Sequence, residues 1–465
     1  MKKIVILAIV ITCTFVLSTV AQEKYRLQVS QNGRSLQYAN GKPFFWLGDT
    51  AWELFSRLTL NEIKMYLDNR AAKGFNVIQV SCLTLNDVGK QNRYGEMMLH
   101  PLNGQWVPND KYFTIIDSTL QYALERNMYL AMVPTWGDLV VSGELNSLQA
   151  NTIGKWLGSR YAQHTNIIWV LGGDKAATTN TQDFKPIWRE MAKGIIEGTN
   201  QKCLITYHPN GERSSSEWLH TEPWLDFNMI QSSHGRKDAP VWDMVKKDRS
   251  LSPAKPTLDS EPNYEDHPVS PWPKWNVDNG YFRDYDVRKQ LYRSVFAGAF
   301  GVSYGHHAIW QFFNERVEAL NFPDRGWVNA LDRPGAFQAG YLRQLIESRP
   351  SENRVPDANI ITQGQGEAAQ RIEVLRDSKG KFILVYLPLT KEIELDMSGI
   401  SSKRIIAWWY NPKTGDAQKI GTLNKKTLMK FEPTQEPDHS DWVLVLDDAE
   451  MKYSSPASSS MIRKY

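Results

Sequence analysis

Eight short apolar runs, separated by longer amphipathic stretches, occupy residues 44 to 310 and restrict the fold more than any other feature. The runs are Phe44–Gly48, Phe75–Val80, Tyr129–Val133, Ile167–Leu171, Leu204–Tyr207, Phe227–Gln231, Pro256–Asp259 and Val302–Tyr304. Several are apolar at consecutive positions rather than alternating, as parallel strands buried on both faces should be. Between them, Thr59-Leu-Asn-Glu62 is a capping-box pattern ahead of a helix that puts Ile63, Tyr66, Leu67 and Arg70 on one face and ends at Gly74. Residues 112–126, 147–163, 181–197 and 284–299 have similar length and period, and a last helix starts near Asp332 and reaches about Ser348. Strand and helix alternating in this way predict an α/β fold, a (β/α)8 TIM barrel. A doubly wound open sheet is the alternative. It would often carry a Gly-rich phosphate loop after its first strand, and Leu47-Gly-Asp-Thr-Ala-Trp52 is no such loop.

The texture changes after Arg349-Pro350. Short β-rich runs at Gln370–Leu375, Phe382–Tyr386, Ile393–Leu395, Arg404–Trp409, Leu428–Phe431 and Trp442–Leu446 are divided by turn signals such as Asp377-Ser-Lys-Gly380 and Asn411-Pro-Lys-Thr-Gly415. They predict a small antiparallel β-sandwich over residues 351–449, after a barrel with a short lead-in over 22–350. In Trp408-Trp409-Tyr410 the alternation of a strand sends the outer two residues to one face and Trp409 to the other. The Ser-rich tail, 450–465, is expected to be disordered.

Lys2-Lys3, the apolar run Ile4–Val16 and the small residues Thr19-Val-Ala21 predict a cleavable signal peptide over residues 1–21. The run is short for a bilayer span, and an uncleaved anchor is the alternative. A secreted or periplasmic chain, not inserted in a membrane, is expected. The formal net charge is +3, and Lys2 and Lys3 supply two of those charges. The remainder is no electrostatic footprint for nucleic acid. Beyond the leader only Cys82 and Cys203 occur. Two cysteines make no disulfide framework; they are expected as buried thiols, with a single bridge as the alternative.

In a barrel the C-terminal strand ends build the site. Two ends carry an isolated acid: Asp174 after Ile167-Ile-Trp-Val-Leu-Gly-Gly173, and Glu261 after Pro256-Thr-Leu-Asp-Ser260. A carboxylate is costly to desolvate unless something compensates. Two of them, at the fourth and seventh strands, face each other across the mouth and fit glycoside hydrolysis by a carboxylate pair. Glu261 is assigned as nucleophile and Asp174 as acid/base, because apolar strand residues and a neighbouring Glu261 would raise the proton affinity of Asp174. A helix cap is the competing role for Asp174, and a buried salt bridge for Glu261.

The other strand ends supply what sugar sites use: aromatic faces for the ring and polar groups for its hydroxyls. Substrate binding is expected of Asp49, Trp52, Trp136, Asp138, Tyr207, His208, His234, Tyr264, His306 and Trp310, with Asn86 and Asp87 in the loop after the second strand. Asp49 could equally cap a turn. Trp169 and Trp188 read as core, while the loop residues Trp272 and Trp275 read as cleft walls. His306 and His307 are adjacent and point opposite ways on a persisting strand. With no H-E-x-x-H and no spaced Cys/His set, no metal and no cofactor are expected. One histidine is expected to bond a sugar hydroxyl or orient Glu261, another to be a satisfied core residue.

Phe45-Trp-Leu-Gly-Asp-Thr-Ala-Trp52, Ala72-Lys-Gly-Phe-Asn-Val-Ile-Gln79, Trp169-Val-Leu-Gly-Gly-Asp174 and Leu258-Asp-Ser-Glu-Pro-Asn-Tyr264 together resemble the apiosidase-like glycoside hydrolases (family 140). The trailing β-domain is similar to a module named for collagen binding. The resemblance spans about residues 25–447. It implies a secreted barrel glycosidase acting on plant pectin, releasing side-chain glycans of rhamnogalacturonan II at an apiose residue, with Asp174 and Glu261 as its catalytic pair. The chain departs from the larger clan of retaining barrel glycosidases: Gly173 rather than Asn precedes the acid, and the acid is Asp rather than Glu. An inverting mechanism therefore stays open. A β-glucan or β-galactoside substrate on the same barrel is one alternative. A non-catalytic glycan- or matrix-binding protein is another, and the collagen-binding name itself implies less than a sandwich that buttresses the barrel.

Overall fold

A computed structural model of the chain describes residues 25–83, 89–434 and 441–457. The signal peptide read at 1–21, and Asn86 and Asp87, lie outside the described residues. Eight parallel strands form one curled sheet: β1 (Trp46–Thr50), β2 (Val77–Ser81), β3 (Tyr129–Val133), β4 (Ile167–Gly172), β5 (Ile205–His208), β6 (Asn228–Gln231), β7 (Thr257–Asp259) and β8 (Gly301–Tyr304). The ladder runs β5-β4-β3-β2-β1-β8-β7-β6, and Arg213–Ser214 adds a short antiparallel strand at the β6 edge. Between β5 and β6 there is no ladder. That seam is stitched by the Asp226 N–H donating to the Ile205 carbonyl (2.9 Å) and the Thr206 hydroxyl donating to the Phe227 carbonyl (2.7 Å).

Strand side chains alternate between the two faces, which sorts the core into two layers. Trp46, Val77, Tyr129, Ala131, Ile168, Val170, Met229 and Leu258 fill the barrel interior. Leu47, Ile78, Val80, Leu130, Met132, Trp169 and Leu171 meet the helices outside. The lead-in also contributes. Leu27–Val29, Leu36–Tyr38 and Pro43–Phe44 form a three-stranded antiparallel sheet, and Leu27, Leu36 and Phe44 join the interior layer. The outer helices are α1 (Leu60–Ala72), α2 (Asp110–Leu124), α3 (Ser147–Arg160), α4 (Lys185–Gly198), α5 (Val241–Ser250), α6 (Asp284–Phe296) and α7 (Pro334–Glu347). The capping box forms at α1, where the Thr59 N–H donates to Glu62 Oε2 at 2.8 Å, and the buried face is the one the sequence indicates. Helix α5, which the sequence reading leaves out, buries Val241, Trp242 and Val245. Its buried face includes Asp248, which is satisfied by the hydroxyls of Ser214 and Ser216. Among the described residues no helix is long and apolar enough to cross a membrane.

Beyond residue 350 a six-stranded antiparallel sheet packs on a three-stranded one (Ile361–Gln363, Ile393–Asp396, Leu428–Phe431). Val374, Ile383, Val385, Leu395 and Trp409 fill the space between the sheets. The opposite face of the larger sheet, with Trp408 and Tyr410, packs against the barrel helices. There Tyr386 stacks on Tyr292 of α6 (4.9 Å), and the Tyr410 hydroxyl donates to the Tyr341 carbonyl of α7 (2.8 Å). Arg288 of α6 grips Asp441 in a two-pronged pair with its Nη2 2.7 Å from Oδ1. The tail expected to be disordered from 450 is placed as far as 457. Tyr453 anchors it, edge-on to Phe382 (6.5 Å) and under the Arg349 guanidinium (4.9 Å). Cys82 is buried, Cys203 is half-buried, and both are free thiols.

Candidate active site

Asp174 reaches the mouth through three successive residues with left-handed backbone: Gly172 (φ +88°), Gly173 (φ +97°) and Asp174 (φ +54°). Glycine takes this conformation without strain, and Asp tolerates it better than most residues. Space imposes the same choice. A Cβ on Gly172 would strike the His208 carbonyl oxygen, and one on Gly173 would lie 2.8 Å from the Trp136 ring. The sharp turn leaves the Asp174 side chain 41% exposed to the mouth. Its Oδ1 accepts a hydrogen bond from Gln231 Nε2 at the end of β6 (2.9 Å).

Glu261, two residues past β7, is buried between two imidazoles. His234 Nε2 bonds Oε1 at 3.0 Å. His208 Nε2 stands 3.0 Å from Oε2, at an angle too poor for a hydrogen bond, so that contact is one of charge. The other nitrogen of His208 is 3.7 Å from Asp174 Oδ1, so this ring bridges the pair. Burial alone would raise the proton affinity of Glu261. The imidazoles, His208 before His234, more than offset it and hold the carboxyl well below the usual range. Asp174 moves the other way, up to about 7, because the cleft wall desolvates it and the Glu261 charge repels its ionised form. Burial works against a charge on His208, but the two carboxylates raise its pKa above that of a free imidazole. Two carboxyls whose environments push their pKa values apart are equipped as an ionised base or nucleophile and a protonated acid.

The pair opens into a cleft of about 1280 Å³. Trp52, Trp136, Tyr264, His234 and Trp310 line it, and so do Gln231, His267 and Trp272. Trp52 stands edge-on to both Trp136 (5.3 Å) and His208 (5.2 Å). Tyr264 packs on His234 (4.2 Å), which stacks on His267 (4.3 Å). The Tyr264 hydroxyl is buried, with no partner that meets hydrogen-bond geometry. His267 donates from Nδ1 to the Pro268 carbonyl (2.7 Å), which leaves Nε2 as an acceptor. Asp174, His208 and Glu261 also offer ligand atoms within 4.8 Å of one another, the one such group among the described residues. A cation there would compete with the imidazole for both carboxylates.

Four residues expected to bind substrate stand elsewhere. Asp49 shares the outer face of β1 with Leu47 and is buried against α1, accepting from the Tyr66 hydroxyl (2.6 Å) and paired with Arg70. Tyr207 faces outward one position before His208; it packs on Trp188 (5.6 Å), and its hydroxyl donates to the Lys175 carbonyl (2.9 Å). Asp138 pairs with Lys175 (2.8 Å) at the start of a short helix. His306 is the satisfied core histidine, 3.2 Å from Asp266 and accepting from the Ala308 N–H.

Comparison with known proteins then places the barrel. Residues 30–353 match the family model described as "Apiosidase-like, catalytic domain". The chain belongs to this family. Residues 355–447 match the module described as "Putative collagen-binding domain of a collagenase". A solved structure described as a glycoside hydrolase is 34% identical, with a TM-score of 0.84, covering 92% of this chain and 98% of its own. A glycoside hydrolase family 5 protein from Bacteroides vulgatus is 33% identical, also with a TM-score of 0.84, over 93% of this chain and 96% of its own. No curated protein matches. This apiosidase-like chain is thus a glycoside hydrolase.

Proposed function

We propose that this apiosidase-like hydrolase is a secreted or periplasmic enzyme that cuts rhamnogalacturonan II side chains of plant pectin at an apiose residue, by a retaining mechanism. The observation that carries the chemistry is a pair of close carboxyls in opposite surroundings, Glu261 between two imidazoles and Asp174 against a neutral amide. Oxygens of Asp174 and Glu261 lie within 4.8 Å of each other. Facing oxygens this near favour the closer spacing of retaining enzymes, roughly 5–5.5 Å between carboxyls, over the roughly 6.5–9.5 Å that admits a water between them. Glu261, kept ionised by His208 and His234, attacks the anomeric carbon. Asp174 gives its proton to the glycosidic oxygen as the C–O bond breaks, so the alcohol leaves neutral. Asp174, now a carboxylate, takes a proton from water; the water oxygen attacks the anomeric carbon and frees Glu261. The substrate reading is supported by the family and by a cleft whose aromatic walls and histidines suit sugar rings and hydroxyls. The location is supported by the leader sequence.

Release of product from rhamnogalacturonan II side-chain material and from other plant glycans, by the mature chain and by Glu261→Gln and Asp174→Asn, tests this reading. Product from the wild type that both variants abolish supports it, and the anomer first released, read by NMR, distinguishes retention from inversion. Release only from β-glucan or β-galactoside replaces the substrate; unimpaired variants overturn the pair.

A further inference from the structure

We infer that the rim beyond Trp310 is a second sugar-binding subsite, an aromatic ledge that holds a glycan unit remote from the scissile bond; the inference rests on the glycosidase reading of the cleft. Two loops build it. The loop after β7 brings Trp272, which lines the cleft and is 53% exposed, and Trp275. The loop after β8 brings Phe322, which is 58% exposed and lies 5.4 Å from the Trp275 ring at a shallow 33° tilt. Trp275 is backed in turn by Tyr281 at 4.9 Å. Large aromatic faces left open together mark a contact surface rather than core.

The ledge is continuous with the catalytic machinery. From Glu261 the chain of ring contacts runs through His234 and His267 to Trp272 (5.8 Å). From the other side, His307 touches His267 (4.4 Å), donates from Nε2 to the Asn321 carbonyl (2.7 Å) and accepts at Nδ1 from the Trp310 indole N–H. Asn321 (φ +52°) and Phe322 (φ +59°) both hold left-handed backbone, a conformation that a bulky residue resists. The fold therefore fixes Phe322 outward beside the cleft at a cost in backbone strain, instead of tucking it into the core. An aromatic face open to water beside a sugar cleft suits the C–H face of a pyranose or furanose ring. A chain long enough to cover both Trp272 and Phe322 extends past the bond that Asp174 and Glu261 attack. The substrate class is an oligosaccharide longer than the pair of sugars at the scissile bond.

Kinetics on a long and a short substrate test the ledge. The long probe is a rhamnogalacturonan II side-chain oligosaccharide; the short one is 4-nitrophenyl apioside. Phe322→Ala lowers kcat/KM on the oligosaccharide, mainly through KM, by a factor between about 3 and 10 and leaves the aryl apioside unchanged. Trp272→Ala loses more on the long probe than on the short. Equal losses on the two probes, or none, overturn the ledge. If the wild type cleaves neither probe, the apiose reading of the substrate fails separately. Binding of the oligosaccharide, followed by tryptophan fluorescence, then decides the ledge: affinity lost in Phe322→Ala keeps it, and affinity unchanged or absent overturns it.

Discussion

Buried carboxylates are handled differently at the cleft and at the junction between barrel and sandwich. At the junction, Asp441 is gripped by Arg288 and Asp447 by Arg349, whose Nη2 and Nε lie 2.6 and 2.7 Å from the two carboxylate oxygens. Asp49 has Arg70 in the same role inside the barrel wall. Guanidinium is planar, forked and permanently charged, so these pairs hold one geometry. At the cleft the partners are imidazoles for Glu261 and a neutral amide for Asp174. Imidazole charge responds to its surroundings near neutral pH, and an amide carries none. The junction fixes its acids, whereas the cleft leaves one acid able to give and take a proton.

The largest expected effect breaks the cleft side. Glu261→Gln lowers kcat on a glycan by at least about a thousandfold, and Asp174→Asn by a factor between about 10² and 10⁴. Asp174→Asn recovers on an aryl glycoside whose phenol leaves without help. Equal deficits on glycan and aryl glycoside would show that Asp174 is not the acid. On the junction side, Arg288→Ala strands the buried Asp441 and costs about 3–5 kcal/mol of stability in urea unfolding, while kcat of the folded enzyme holds. A loss of kcat without loss of stability would erase the contrast.

Smaller effects sharpen it. In the wild type, kcat/KM falls on the alkaline side near pH 7, as Asp174 gives up its proton, and falls on the acid side only well below the usual carboxylate range, as Glu261 gains one. His208→Gln removes a positive charge that stabilises both carboxylates. Both limbs then move to higher pH, the acid limb by about one unit or more. A profile that drops in height without moving would make His208 a packing residue. Gln231→Leu takes one neutral hydrogen bond from Asp174 and leaves Glu261 untouched. Only the alkaline limb rises, by a shift worth about 0.5–1.5 kcal/mol, which a careful kcat/KM titration resolves.

The barrel was legible in the sequence because its strands are continuous apolar runs and its acids end two of them. What misled was direction. Trp46 fills the barrel interior, so strand alternation sends Asp49 outward, and the same rule lets only one of Tyr207 and His208 face the cleft. Gln231 gave no signal, because a neutral amide at a strand end resembles any polar loop residue; its role exists only across the barrel. Helix α5 hid behind its buried Asp248. The edge strand Ala417–Asn424 is mostly exposed and carries no apolar alternation to find.

Tyr292, Tyr341 and Arg288 are committed at once to helices of the barrel and to the sheet that follows it. The two halves are therefore one cassette for inheritance and for engineering. A cut at residue 350 would leave the hydrolytic half with a bare aromatic face and an unanswered guanidinium. Anyone transplanting the catalyst must carry the sandwich with it.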